Sequence, residues 1–259
     1  MSHLLCDEED GIVTLTLNRP EVRNAIDDEI MRLLSGHLDR LAEDEFLRAV
    51  ILTGAGGEAF CAGGDLKWLQ SFDTGEAGGA MSRRMQDILF RLSNLPVPVI
   101  GVLNGYALGG GTEIALTCDM RVMEESAYLS FKQARVGLMT GWGGGGRLLR
   151  IAGYARAMDL LTTCRELPAR EALAIGVANA IAPDGGGLAE GKRIAAAIAK
   201  AAPLAVRAIK KLLIEASERT LAGAAELETT LFVELWASED HGEGVDAFFE
   251  KRGPRFKGQ

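Results

Sequence analysis

The chain has 259 residues, 47% of them hydrophobic and 25% charged, which is the composition of a water-soluble globular fold with material for one large core. Twenty-eight Lys and Arg against 36 Asp and Glu give a formal charge of −8. Such a surface repels polyphosphate at long range, which argues against nucleic acid or an anionic membrane as the main partner while leaving room for one anionic ligand held by local Lys or Arg. No apolar run reaches the roughly 18 residues of a membrane span. The opening MSHLLCDEED lacks the basic start and apolar stretch of a secretion signal, so a cytoplasmic protein is expected. Cys6, Cys61, Cys118 and Cys164 are widely spaced and form no CxxC, which suggests reduced thiols and no structural zinc.

Taken in chain order, Gly11 to Asn18 reads as a strand, with Ile12, Leu15 and Leu17 among β-branched residues and Pro20 as the stop. Asp27 to Leu41 carries Ile30, Leu33, Leu34, Leu38 and Leu41 at helical spacing, with an Asp at its start. Ala49–Thr53 and Pro98–Leu103 are short, fully apolar strands, and Arg121–Met123 and Tyr128–Ser130 are two further ones. Gly75 to Ala80 lies in a polar stretch without a pattern and is expected to be a mobile loop. Beyond Pro203, Ile209, Leu212, Leu213 and Ala216 form one helical stripe and Leu227, Leu231, Phe232 and Leu235 another. Short apolar strands alternating with helices imply an α/β fold with a mostly parallel sheet covered on both faces. Residues 1–200 are assigned to this core and 201–259 to a C-terminal helical part.

The 32 glycines cluster at Gly54–Gly57, Gly63–Gly64, Gly109–Gly111 and Gly143–Gly146. Each cluster is expected at a strand-to-helix junction, where Gly permits positive φ and close approach of the backbone to a ligand. Two of them lie in the segments Ala59-Phe-Cys-Ala-Gly-Gly-Asp-Leu66 and Asn104-Gly-Tyr-Ala-Leu-Gly-Gly-Gly-Thr-Glu-Ile-Ala115. Neither is a P-loop or a dinucleotide fingerprint, since GK[ST] is absent and the spacing does not fit GxGxxG. The second puts free N–H groups at the positive end of a helix, and two such turns facing one another could hold a developing oxyanion. His3, His37 and His241 fall outside both segments and GxSxG is absent, so neither a Ser-His-Asp hydrolase nor a His-based metal site is indicated.

The segments FCAGGDL and NGYALGGGTEIAL resemble the two signature segments of the enoyl-CoA hydratase/isomerase (crotonase-like) superfamily. The resemblance continues through LPVPVIGVLNGYALGGG, CDMRV, GWGGGGRLLR, LTTCRELPAREALAIGVANAI and FFEKRGPRF, nearly the whole chain. It implies a crotonase-like spiral of repeated β-β-α turns with a C-terminal helical part, assembled as a homotrimer or a dimer of trimers. It also implies an acyl-CoA enzyme, a lyase or isomerase of fatty acid metabolism, needing no cofactor beyond the coenzyme A thioester it acts on. Carried over by position, the resemblance makes Gly64 and Gly110 the oxyanion donors and Glu113 the catalytic acid/base. It places Arg23, Ala25, Ala62, Asp65, Leu66 and Lys67 beside the CoA, Thr140 and Trp142 in the acyl pocket, and Lys251 and Phe256, with Arg252 or Lys257, near the CoA from the tail.

The chain departs from the hydratase pattern at Phe131-Lys-Gln-Ala-Arg135, where Arg135 stands at the place of a second acidic residue and the path to the following glycines reads two residues shorter. Arg stays protonated at any working pH and cannot be a general base, but it can grip a carboxylate with two parallel hydrogen bonds. Gly141–Gly146, with its Trp-Gly-Gly, is similar to a segment of the ethylmalonyl-CoA decarboxylase branch, although that branch keeps an acidic residue near this position. Three readings follow: a hydratase/isomerase that hydrates poorly, a malonyl-type acyl-CoA decarboxylase, and a non-catalytic crotonase-fold binding protein. The −8 charge and the paired glycine turns count against the last.

Overall fold

The alternation of short apolar strands and amphipathic helices resolves, in the computed structural model, into two sheets wrapped by helices; the structure describes residues 2–259. In chain order the elements are β1 (Leu4–Glu9), β2 (Ile12–Leu17), α1 (Asp28–Ala42), β3 (Ala49–Gly54), β4 (Ala59–Cys61), α2 (Leu66–Leu69) and α3 (Gly75–Ser93). There follow β5 (Val99–Leu103), β6 (Tyr106–Leu108), α4 (Gly110–Thr117), β7 (Met120–Glu124), β8 (Tyr128–Ser130), α5 (Gly144–Ala152) and α6 (Tyr154–Thr163). The chain ends with β9 (Leu167–Pro168), α7 (Ala169–Ala174), β10 (Ala180–Ala182), α8 (Gly187–Ala199), α9 (Pro203–Ala216), α10 (Leu221–Trp236) and α11 (Glu239–Glu250).

A six-stranded sheet runs β1-β2-β3-β5-β7-β10, parallel except for the β1–β2 hairpin. A smaller sheet runs β4-β6-β8-β9, with β4, β6 and β8 parallel. The pairs β3–β4, β5–β6 and β7–β8 each place their first strand in the large sheet and their second in the small one, and helix follows each pair. This is the spiral of β-β-α turns. Every residue of β3 and β5 is buried, as the apolar runs AVILTG and VIGVL require of strands covered on both faces. Each Val, Ile or Leu so buried contributes about 1.5–3 kcal/mol relative to exposure. Asp27 caps α1 by accepting from the Ile30 N–H at 2.9 Å, and α1 turns Ile30, Met31, Leu34, Leu38 and Leu41 into the core.

Two expectations are corrected here. Gly75–Ala80 is not a loop but the first turns of the 19-residue α3. Thr74 supplies the cap, accepting from the Ala77 N–H, and the buried stripe Met85, Ile88, Leu89 and Leu92 carries the helix, so its N-terminal glycines are tolerated. The Gly54–Gly57 cluster joins strand to strand, β3 to β4, and not strand to helix.

Pro203 opens three consecutive helices, α9 to α11. Their inner face is sparse: Pro203 and Lys210 are the buried residues of α9, and Leu231 is that of α10. Ile209, Leu213, Phe232, Val233, Trp236, Phe248 and Phe249 stand more than half exposed. Lys210 pins α9 to the core: its ammonium donates to the Val97 carbonyl at 2.8 Å and to Asp119 Oδ2 at 2.7 Å, and the same oxygen accepts from the Val99 N–H. Burial pushes the Lys210 ammonium below its ordinary range, against the pull of Asp119. No helix among the described residues is long and apolar enough to cross a membrane.

Removing a buried, hydrogen-bonded cation leaves its partners unpaired, at a cost of about 3–5 kcal/mol where both charges are buried. Asp119 is partly exposed, so Lys210→Ala is expected to cost about 2–3 kcal/mol by urea unfolding. Limited proteolysis should then cut first between α8 and α9. A loss below about 0.5 kcal/mol, the size of an ordinary surface substitution, would show that Lys210 does not hold the helices down.

Candidate active site

Parallel pairing of β4 with β6 sets Ala59 beside Tyr106 and Cys61 beside Ala107, so the two strands end together and their glycine turns meet. The approach is very close. A methyl group on Gly63 would stand 2.8 Å from the Leu108 carbonyl oxygen and 3.0 Å from the Gly110 nitrogen. One on Gly111 would stand 2.1 Å from the Cys61 carbonyl oxygen. Gly63, at φ +95°, and Gly109, at φ +51°, adopt backbone that L side chains rarely enter. Past these turns come the Gly64 and Gly110 N–H groups. Among the described residues neither has an acceptor within the protein, and Gly110 opens α4, where the helix dipole is positive.

A second strand-like contact orients Gly64. The Ile26 N–H donates to the Gly63 carbonyl at 2.7 Å, and the Asp65 N–H donates to the Ile26 carbonyl at 2.8 Å. The Ala62 N–H likewise donates to the Arg23 carbonyl at 2.9 Å. Arg23 and Ala25 are thereby brought against Ala62, Gly64 and Asp65. The side chain of Arg23 is exposed and pairs with Glu58 at 2.9 Å. Leu66 is 73% exposed and Lys67 is exposed beside it, on the short helix α2 that Asp65 caps. Burial alone would raise the Asp65 carboxyl, but donation from Arg19 and from the Lys67 and Trp68 N–H groups outweighs it and holds the group below the ordinary range.

Glu113, one turn into α4, is buried, and each carboxylate oxygen takes two donors. Oε1 accepts from Gln133 Nε2 at 3.0 Å and from the Gly141 N–H at 3.2 Å. Oε2 accepts from the Trp142 and Gly144 N–H groups, both at 2.8 Å. Glu113 thus acts as a cap in trans for α5, whose own N-terminal residue Gly143 caps nothing with a side chain. Gly144 is small for this reason: a methyl group there would lie 2.5 Å from Glu113 Cγ. Burial drives the Glu113 carboxyl above its ordinary range, and the four donors offset this only in part.

Trp142 is buried with its ring against Gly110, where a methyl group on Gly110 would fall 2.1 Å from the indole. Thr140 lines a cavity of about 500 Å³ with Gln133, Leu138, Met139, Met158 and Leu161, and Trp142 is not among its lining residues. Arg135, in the 3₁₀ turn Lys132–Val136, is exposed and donates to the Thr163 carbonyl at 3.1 Å, at the end of α6. Lys251 and Phe256 are not brought to this site within the chain. The tail folds back on α11: Asp240 accepts from the Lys257 and Gly258 N–H groups, Glu243 holds Arg252 and the Arg255 N–H, and Phe256 lies over Gly244. Sequence reasoning missed Gln133 and Arg19. Gln133 lies two residues before Arg135, in a segment read only for its acidic position.

The sequence model of the enoyl-CoA hydratase/isomerase family matches residues 7–259. A 2,3-dehydroadipyl-CoA hydratase of Escherichia coli (strain K12) is 33% identical, with 100% of both chains covered. A short-chain-enoyl-CoA hydratase of Clostridium acetobutylicum is 32% identical over 97% of this chain and 96% of its own. The crystal structure of an enoyl-CoA hydratase from Bacillus anthracis superposes with a TM-score of 0.96 at 34% identity, covering 99% of this chain and 100% of that one. The fold is therefore crotonase-like, and the chain belongs to the enoyl-CoA hydratase/isomerase family. It is an enzyme of that family.

The raised Glu113 carboxyl gives stability a definite pH dependence. The folded state binds the proton more readily than the unfolded chain, whose Glu titrates near about 4.3. Ionising Glu113 therefore costs stability: its favourable share is complete below that value and is lost as pH rises through the raised folded value. The stability of the wild type minus that of Glu113→Gln should fall across this window in pH-dependent chemical denaturation. A difference that stays flat or climbs would contradict the assignment.

Proposed function

We propose that the chain binds an acyl-CoA thioester with its carbonyl oxygen between the Gly64 and Gly110 N–H groups, where the enolate formed during reaction is stabilised. The observation that carries this reading is the pair of acceptor-free N–H groups on two touching turns, one of them at a helix N-terminus. One donor of this kind is worth roughly 2.7–4 kcal/mol in the transition state, so two supply a useful part of the ~8–23 kcal/mol that enzymes provide. Arg23, Ala25, Ala62, Asp65, Leu66 and Lys67, gathered around the Ile26–Gly64 contact, form the side along which the CoA runs.

The acid/base set decides which reaction follows. Glu113 is the carboxylate beside the proposed hole, and Arg135 occupies the place of a second one. Adding water calls for two groups oriented on one water molecule, so the chain is proposed to be a poor crotonyl-CoA hydratase, although the relatives named above carry hydratase names. The saturation of Glu113 favours a second reading, a malonyl-type acyl-CoA decarboxylase. A carboxylate has about four lone-pair sites, and all are engaged, so Glu113 must lose a donor before it can take a proton. Loss of CO₂ generates the enolate without a base. Arg135, exposed and turned to the Thr163 carbonyl, lends no support to a carboxylate grip in this reading. The tail residues Lys251 and Phe256 would reach a CoA in an assembly of copies. A homotrimer or a dimer of trimers is proposed, supported by the uncovered apolar face of α9–α11.

Proline at position 110 would remove the donor, but its ring would also strike Trp142. The fair test is therefore Gly110→Pro in a Trp142→Ala background, compared with Trp142→Ala alone. Turnover of enoyl- and malonyl-type CoA thioesters, followed by mass spectrometry, is expected to fall by about 10²–10³, and near-equal rates would remove Gly110 from the hole. In the same panel, wild-type crotonyl-CoA hydration at kcat/KM of about 10⁴ M⁻¹s⁻¹ or more would end the poor-hydratase claim. Light scattering at micromolar concentration is expected to give three or six copies, and a monomer would refute the assembly.

A further inference from the structure

One cation near Gly64, Arg19, is neither exposed nor assigned a part in the site. Arg19 lies two residues past the end of β2, just before the 3₁₀ turn Pro20–Val22, and its side chain is only 13% exposed. Its Nη1 donates to the Ala25 carbonyl at 2.8 Å and lies 3.2 Å from Asp27 Oδ2, while its Nη2 donates to Asp65 Oδ2 at 2.9 Å. Asp27 also faces His3 Nδ1 at 3.0 Å. The guanidinium therefore spans the Ile26–Gly64 contact, gripping the chain just before Ile26 on one side and just after Gly64 on the other.

The order of these bonds matters. Arg19 donates to the Ala25 carbonyl, and the N–H of that same peptide unit belongs to Ile26. The Ile26 N–H donates to the Gly63 carbonyl, and the N–H of that peptide unit belongs to Gly64. In a trans peptide the C=O and N–H point opposite ways, so fixing the Gly63 carbonyl on Ile26 aims the Gly64 N–H away from it. Arg19 thus heads a chain of two hydrogen-bonded peptide units whose last free donor is Gly64. Every donor in the chain points the same way, and such chains polarise one another. Asp27 and Asp65, two carboxylates against one guanidinium, more than offset the charge of Arg19, so what it contributes is alignment of these dipoles and not net positive potential.

The geometry points to Arg19 as a positioning residue that aims and polarises the Gly64 N–H; this rests on the oxyanion reading above. A lysine in its place could reach one acceptor but could not fork between Ala25 and Asp65.

The test uses the full-length protein and a 4-(dimethylamino)cinnamoyl-CoA probe, whose absorbance moves to the red as its carbonyl is polarised. Wild-type protein should shift the probe to the red. Arg19→Gln should lose most of that shift and lower kcat by about ten- to a hundredfold, with KM nearly unchanged, and Arg19→Lys should recover part of both. Asp65→Asn, which keeps an N-cap side chain while removing the carboxylate that holds Nη2, should lose part of the shift even if Arg19→Gln fails to fold. No red shift with wild-type protein overturns the oxyanion reading and this proposal with it. A wild-type shift that persists undiminished in the folded variants overturns the role of Arg19 alone.

Discussion

The parallel pairing of β4 with β6 is the constraint on which the rest of the site depends. Two three-residue strands, held in the smaller sheet, end side by side, and their glycine turns are pressed so close that no side chain fits between them. That closeness brings the Gly64 and Gly110 N–H groups to one place. It also sets Glu113, three residues past Gly110, at the start of α5, where its buried charge finds four N–H donors. A carboxylate at such depth costs several kcal/mol unless its lone pairs are satisfied, so Gly141–Gly144 is held to the shape that satisfies them.

α4 is fixed at its far end too. Arg121, buried in β7, donates to the Val177 carbonyl at 2.5 Å and also to the Cys118 carbonyl. Burial lowers its pKa, and nearby Cys118 and Asp119 pull the other way. The helix that presents Gly110 is therefore clamped by Arg121 at its C-terminal end and by packing against Cys61 at its N-terminal end. The large sheet takes little part in the site; it supplies the buried platform, and the turns leaving the small sheet supply the donors.

Much of this was legible in the chain. The apolar runs AVILT and PVIGVL gave their strands within a residue, and Asp27 marked the start of α1, because burial on both faces and a capping carboxylate are local signals. Gly64, Gly110 and Glu113 were singled out through the resemblance of their two segments to the family's signatures, since a glycine turn taken alone often does no more than reverse the chain. Less local features were not readable. The glycines of α3 masked a helix whose stripe begins only at Met85. β4, β6 and β9 have two or three residues each, too short for any periodicity. The four donors to Glu113 come from residues up to 31 positions away, three of them main chain, and no side-chain pattern announces them. Arg19 escaped for a similar reason: its partners are a carbonyl and two carboxylates that only the folded chain assembles.

The donors around Glu113 and at the two turns are almost all main chain, and this limits what mutation can do to the site. Every residue except proline supplies the same N–H, so substitution at Gly64, Gly110, Gly141 or Gly144 cannot exchange one chemical group for another. It can only change bulk and the path of the backbone. Side-chain chemistry enters through Glu113, Gln133 and Trp142: Glu113 takes four donors, whereas the buried Oε1 of Gln133 has no hydrogen-bond partner among the described residues. New selectivity in such a scaffold must arise by altering the walls around an unchanged set of amides.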